Sequence, residues 1–319
     1  MPASPPALIL VNLGTPEAPT PRAVRRFLAE FLHDRRVVQL TRWLWCPVLH
    51  FAILPLRGPR VAEKYAKIWM EGGSPLAVYT QRLAQAVQAR QPQRRVVHAM
   101  RYGGPSIAEV LAGLRAEGIE RATVLPLYPQ YSTTTTGSVA DALAAAGAGL
   151  ELRTIEDYAT DAGWVSAVAA SIRAHRAAQG SGRHLLFSFH GLPQRLADQG
   201  DPYPQRCEDS ARAIAAALRL ADDEWSLSYQ SRFGRERWLE PATVSVLDDL
   251  AARGVDAVDV VCPGFAVDCL ETLEEVAIML AARFAERGGR LSYIPCLNDA
   301  PAHADALAAL AEREDWADA

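Results

Sequence analysis

The chain has 319 residues, half of them hydrophobic and 22% charged, with a net charge of −4. That is too long for one ordinary core and predicts two domains. The lack of basic excess excludes a phosphate-tracking nucleic-acid binder. The amino terminus has neither a basic region nor a long apolar one, so no secretory signal is expected. Five cysteines, odd in number and without a C-x-x-C pair, predict reduced thiols in the cytoplasm rather than a disulfide frame or a structural zinc site.

Taken in chain order, short continuous apolar runs predict strands at 7–14, 95–102, 122–129, 150–155, 184–191, 225–230, 256–264 and 291–296. Helical patterns lie between them at 20–32, 60–70, 76–90, 106–117, 137–147, 160–178, 204–219, 241–253, 269–287 and 302–313. Strands without polar alternation are covered on both faces, and strands alternating with helices form parallel sheets. The expected fold class is α/β, with two doubly wound, Rossmann-like domains, each a four-stranded parallel sheet flanked by helices. "ILVNLG" echoes "LLFSFHG", and "VLPLYPQYSTTTTGS" echoes "VVCPGFAVDCLETL", which suggests duplication. The expected boundaries are 1–157 and 158–300, with a C-terminal helix in 301–319 free to pack back on the first domain.

The segment 43–56, "WLWCPVLHFAILPL", is too short to span a membrane and is expected to be broken by Pro47 and Pro55. It reads either as a buried helix or as an exposed lip that meets a flat apolar ligand or a membrane surface.

Ligands of open parallel sheets bind beyond the strands' carboxyl ends, where strand order reverses. For the order 2-1-3-4 in the second half, this sets His190, at a strand end, opposite the 263–271 loop. Asp268, Glu271 and Glu275 share a helix face by three-and-four spacing, and Glu274 falls off it and is expected to be solvated. Two readings stay open. Asp268 and Glu271 fit a capping box; a His and carboxylates that converge can also bind a divalent metal or move protons. Ser132–Thr136 reads as a hydroxyl-rich helix cap. Tyr128 is a candidate for facing a ligand. Arg57, Ser74 and Arg101 are candidates for anchoring a ligand carboxylate. Trp238 reads as core or as part of a loop over an apolar plane. No glycine-rich phosphate loop is present, so a nucleotide is not favoured.

The ordered set "LVNLGTPEAP", "WMEGGSPL", "LYPQYSTTTTGS", "FSFHGLPQR", "GDPYPQRC", "YQSRFGRERWLEP" and "CPGFAVDCLETLEE" resembles the ferrochelatases of Gram-negative type, over about residues 7 to 300. The resemblance implies chelatase-type domains with a porphyrin cleft between them. It implies insertion of Fe²⁺ into protoporphyrin IX to give protoheme and two protons. His190 would be the pyrrole proton acceptor and Glu271 the metal and proton relay, both able to meet the metal. Tyr128, Arg57, Ser74, Arg101, Trp238 and Asp268 would be substrate contacts. The 43–56 segment would be the lip beside the cleft, with peripheral contact to the inner membrane face, and a monomer is favoured. Thr133 stands where some relatives carry a cluster-binding cysteine, and no cysteine follows Cys296, so no iron–sulfur cluster or other cofactor is expected. Cys269 stands where many relatives have histidine, and Met279 where the acidic row would extend; an outer metal site is not expected. A chelatase for cobalt or nickel in another tetrapyrrole, a non-catalytic porphyrin or heme binder, and a two-domain sugar or amino-acid binder remain as competing readings.

Overall fold

The computed structural model describes residues 6–180, 184–234 and 236–313. The chain forms two compact units. The first gathers the chain through Leu127, Ser132–Glu156 and the chain from Leu307; the second gathers Tyr128–Tyr131 and Asp157–Ala306.

In the first unit, β1 (Ala7–Gly14) is followed by α1 (Pro21–His33), α2 (Arg42–Val48), a π-helical turn at Leu49–Ile53, α3 (Leu54–Ile68) and α4 (Pro75–Arg90). Then come β2 (Val96–Tyr102), α5 (Ile107–Ala116), β3 (Arg121–Pro126), α6 (Thr136–Ala146) and β4 (Glu151–Thr154). All strand pairs are parallel, in the order β2-β1-β3-β4. β1 is central, and Ala7–Val11 are almost wholly excluded from solvent, which is why it reads as an uninterrupted apolar run.

The second unit repeats the plan. α7 (Ala162–Gln179) leads to β5 (His184–His190), the short α8 (Gln194–Asp198), α9 (Tyr203–Leu218), β6 (Trp225–Gln230), α10 (Thr243–Ala252) and β7 (Ala257–Val261). A π-helix at Glu271–Leu280, α11 (Ala281–Ala285) and β8 (Arg290–Ile294) follow, and the last described element is α12 (Pro301–Arg313), whose residues from Leu307 belong to the first unit. The order is β6-β5-β7-β8, again all parallel. The expectation of two four-stranded parallel sheets with helices holds, and strand order reverses between β5 and β7. One core cluster pins the π-helix to this sheet: Val276, Leu280 and Phe284 pack with Leu186, Val258, Val260, Leu247 and Leu250. Burial of each such side chain stabilises the packing by about 1.5–3 kcal/mol.

Local signals explain the helix starts. Thr20 and Ser74 cap α1 and α4, each followed by proline at the first helical position. Ser106 and Glu109 form a reciprocal capping box at α5, and Asp161 caps α7. The Ser132–Thr136 run behaves otherwise than expected. Thr135 precedes α6 without a side-chain cap bond, and the Ser132 hydroxyl instead meets the Thr134 hydroxyl at 2.9 Å and its N–H at 3.1 Å. Short hydroxyl side chains bond their own turn as readily as a helix end.

The 43–56 segment also departs from expectation. Pro47 and Pro55 do not break it; helix runs from Arg42 through the π turn to Ile68. The wider i→i+5 turn, with Leu54 N–H donating to Leu49 C=O, absorbs the mismatch that prolines leave in an α-helical ladder. The buried-helix reading is overturned: Trp43 is 74% and Phe51 85% exposed, with Leu44, Val48 and Leu56 exposed beside them.

α12 carries a titratable group with a consequence for stability. His303 is fully buried, its Nδ1 lies 2.7 Å from the Asn298 carbonyl, and its Nε2 meets no partner among the described residues. Burial pulls its pKa from the ordinary 6.5 down to about 4. The unfolded chain therefore takes up a proton that the folded chain refuses until pH falls to about 4. Stability present above pH ~6.5 should decline by about 3 kcal/mol by pH ~4. Urea unfolding across that range should show the decline, and His303→Gln should flatten it; an equal slope in the variant would refute the assignment.

Candidate active site

β5 delivers His190 to the carboxyl edge of the second sheet, beside Gln230 at the end of β6. The His190 Nδ1 lies 2.6 Å from the Gly191 carbonyl oxygen, which can only accept. In the neutral ring Nδ1 therefore carries the proton, and Nε2 presents its lone pair. The Phe265 ring, from the loop after β7, lies 6.4 Å away. The reversal point thus has His190 on one side and the 262–270 loop on the other, as the strand order requires.

The backbone after His190 is stitched down. Gly191 N–H donates to Gln230 C=O, Leu239 N–H to Leu192 C=O, and Gln194 N–H to Arg237 C=O. Trp238 lies behind this stitch, only 8% exposed, with its Nε1 donating to the Phe233 carbonyl at 2.8 Å. The core reading of Trp238 holds: the indole backs the His190 loop. A side chain at Gly191 would stand 2.7 Å from the Gln230 carbonyl oxygen and 3.3 Å from the Trp238 ring. The "HGLP" and "RWLE" strings are therefore two sides of one support.

Facing this loop, the π-helix begins at Glu271. Gln230 Nε2 donates to the Glu271 carbonyl at 2.9 Å, while Gln230 Oε1 accepts from Ser188 Oγ at 2.6 Å. One amide thus ties the His190 sheet to the helix that carries the carboxylates. Glu275 accepts from Ser231 N–H at 2.8 Å and from Ser231 Oγ at 2.5 Å. Burial pushes the Glu275 carboxyl upward, as does the neighbouring Glu271, while the Ser231 donors and His190 pull it down. Glu275 therefore lies within electrostatic reach of both Glu271 and His190.

Two carboxylate expectations are corrected. Glu274 is 4% exposed, not solvated. Three-and-four spacing describes an α-helix, whereas this segment winds i→i+5 and turns different positions inward. Asp268 forms no capping box with Glu271: Leu270 precedes the helix without a side-chain cap bond. Its carboxylate is 3% exposed and accepts from Tyr293 OH at 2.5 Å, Asn298 Nδ2 at 2.6 Å and Thr272 Oγ1 at 3.0 Å. Asp268 so engaged braces the helix start.

Of the remaining candidates, Tyr128 belongs to the second unit and is half-buried. Arg57, Ser74 and Arg101 belong to the first. Arg57 is half-buried, and burial lowers its pKa. Ser74 is 1% exposed and its hydroxyl accepts from Ala77 N–H, so it caps α4. Arg101 is likewise committed: Nη2 meets Asp34 at 2.7 Å and Nε meets the Ser138 hydroxyl at 2.7 Å. These bonds fix the guanidinium plane against Asp34 and Ser138. Gln230, Ser231, Asn298 and Tyr293 were not singled out by sequence. Only the "YQS" string pointed toward the first two.

Among the described residues, no group of three or more His, Cys, Asp or Glu side chains is arranged to hold a metal ion.

Comparison with known proteins identifies the family. A family model described as Ferrochelatase matches residues 5–315. The ferrochelatase of Stenotrophomonas maltophilia (strain R551-3) is 61% identical over 308 residues, covering 96% of each chain. That of Xanthomonas axonopodis pv. citri (strain 306) is 60% identical over 310 residues, covering 96% of this chain and 98% of that one. The ferrochelatase of Neisseria gonorrhoeae (strain ATCC 700825 / FA 1090) is 48% identical, covering 96% and 93%. Among solved structures, SirB from Bacillus subtilis with Fe³⁺ superposes with a TM-score of 0.57 at 10% identity, covering 97% of this chain and 95% of that one. CbiX, the terminal enzyme for biosynthesis of siroheme in denitrifying bacteria, does so at 0.53 and 18% identity, covering 96% and 99%. Those two show a shared fold, and the sequence matches over nearly the whole length show more: this chain belongs to the ferrochelatase family.

Proposed function

We propose that the chain inserts Fe²⁺ into protoporphyrin IX, with His190 as the pyrrole proton acceptor and Glu271 as the relay for metal and protons. The observation that carries the site is the His190 tautomer: Nδ1 bound to the Gly191 carbonyl leaves Nε2 as a base at a strand end. The porphyrin gives up two N–H protons as iron forms its bonds to the four pyrrole nitrogens, so each turnover releases two protons. Binding energy from the rest of the macrocycle can be spent on bending it, which exposes the nitrogen lone pairs. The first proton passes to His190 Nε2, and Glu271, with Glu275 beside it, takes it onward. Ferrous iron, borderline in softness, tolerates imidazole and carboxylate and is released from so sparse a ligand set. Tyr128, Arg57, Ser74, Arg101, Trp238 and Asp268 are the candidates for contact with the ring and its carboxylates.

The test is to mix the protein with protoporphyrin IX and Fe²⁺ without oxygen and follow conversion of the free-base spectrum to that of heme. Cobalt, nickel and other tetrapyrroles serve as parallel arms. Binding without conversion would favour a porphyrin carrier; conversion of a different pair only would favour another chelatase.

The exposed apolar helix at 43–56 is the surface proposed for peripheral membrane contact, supported by Trp43 and Phe51 standing in solvent. No helix among the described residues is long and apolar enough to cross a membrane. Trp43→Ser with Phe51→Ser should lower co-sedimentation with anionic vesicles roughly tenfold or more, since each removes a large buried-on-binding side chain. Unchanged co-sedimentation would reject the surface.

A further inference from the structure

Ser231 follows the strand end that faces His190 and adopts a left-handed backbone, φ 63°. Glycine takes this conformation freely, and asparagine or aspartate more easily than most. A serine there needs a reason. The left-handed turn points its N–H at one oxygen of Glu275 and its hydroxyl at the other, at 2.8 and 2.5 Å. The preceding residue, Gln230, holds the Glu271 carbonyl and accepts the Gly191 N–H. Two consecutive residues therefore fasten the π-helix at two points four residues apart, and the same two continue the strand paired with His190.

A satisfied buried hydroxyl would be the plain account of Ser231, which is 6% exposed. It does not explain why the partner is a carboxylate set in a buried place beside a second acid. Both donors of one residue meet both oxygens of one carboxylate, which fixes its plane as well as its position. We infer that Ser231 is a positioning residue for metal insertion: it fixes the Glu275 carboxylate in one orientation beside Glu271 and His190. The inference rests on the reaction proposed above. Among the described residues no other hydrogen bond holds the Glu275 carboxylate, and an unrestrained glutamate would spread over its rotamers. The carboxylate so held is preorganised for a cation or proton passing between Glu271 and His190.

Ser231→Gly is the informative variant. It keeps the left-handed backbone and the N–H and removes only the hydroxyl, so the fold should be retained. We expect kcat for Fe²⁺ insertion to fall about tenfold, the worth of one charge-assisted hydrogen bond, with KM for porphyrin unchanged. Ser231→Ala should lose at least as much. In a Glu275→Gln background, Ser231→Gly should cost little further, because the carboxylate that Ser231 orients is gone. Ser231→Asn, which tolerates the left-handed backbone and offers a side-chain N–H, should recover part of the rate. Full kcat in Ser231→Gly, or losses that multiply independently with Glu275→Gln, would overturn the inference. A wild-type protein that inserts no metal would instead remove the function on which it rests.

Discussion

His190→Ala should abolish metal insertion while leaving porphyrin binding and the fold intact. The residue is half-buried at the end of β5, and its ring bonds only the adjacent Gly191 carbonyl while lying near Phe265. Truncation therefore breaks one local hydrogen bond and opens no deep cavity, a stability cost of about 1 kcal/mol. The catalytic cost is of another size. General-base catalysis by a placed imidazole contributes roughly 10²–10⁴-fold, and no second lone-pair nitrogen on the β5 edge replaces it. Anaerobic turnover should drop by at least about 10²-fold, whereas porphyrin affinity, read by fluorescence quenching, should change less than about threefold. His190→Asn is a useful companion, since it restores a donor toward the Gly191 carbonyl but offers no base; it should be as inactive as alanine. Turnover close to wild type in either variant would remove His190 as the proton acceptor.

That His190 was legible in sequence follows from topology. Continuous apolar strands alternating with helices leave little choice but parallel sheets, and parallel sheets place ligands at the strand ends where the order reverses. Any histidine closing a central strand is then conspicuous. Other features were out of reach for physical reasons. The partner of Arg101 is Asp34, 67 residues away in the chain, and no local pattern announces such a pair. Glu274 was misplaced because nothing in "ETLEEVAIML" distinguishes a π-helix from an α-helix, and the two turn different positions inward. The left-handed turn at Ser231 is invisible in a residue type that seldom adopts it. Ser74 is a different case. Serine followed by proline before an apolar run is the ordinary signature of a helix start, so the place of Ser74 as the cap of α4 is readable from sequence.

Asp268→Ala should be the most damaging change at the site, through support rather than contact. The carboxylate is a hub where four donors converge: Tyr293 OH, Asn298 Nδ2, Thr272 Oγ1 and, at 3.4 Å, Cys296 N–H. Its own N–H donates to Asn298 Oδ1 at 2.7 Å. The loop after β8 is thereby fastened to the start of the π-helix, and the Asn298 carbonyl in turn meets His303. Alanine strands several buried donors in a place water cannot readily reach. Removing one member of such a network costs about 3–5 kcal/mol, or roughly 4–8 °C in Tm for a chain of this size. The activity loss should exceed what the stability loss explains. Once the brace is gone, Glu271 and Glu275 ride on a helix whose first turn is loose, and misplacement by about 1 Å costs on the order of 10²-fold. Asp268→Asn separates the two effects. It preserves the volume and one acceptor oxygen but turns the other into a donor against Asn298 Nδ2, so it should lose less stability than alanine and still lose most of its turnover. Thermal unfolding and anaerobic turnover measured on the same preparations decide the matter: a stable Asp268→Ala protein with ordinary turnover would show that the π-helix needs no brace at its first turn.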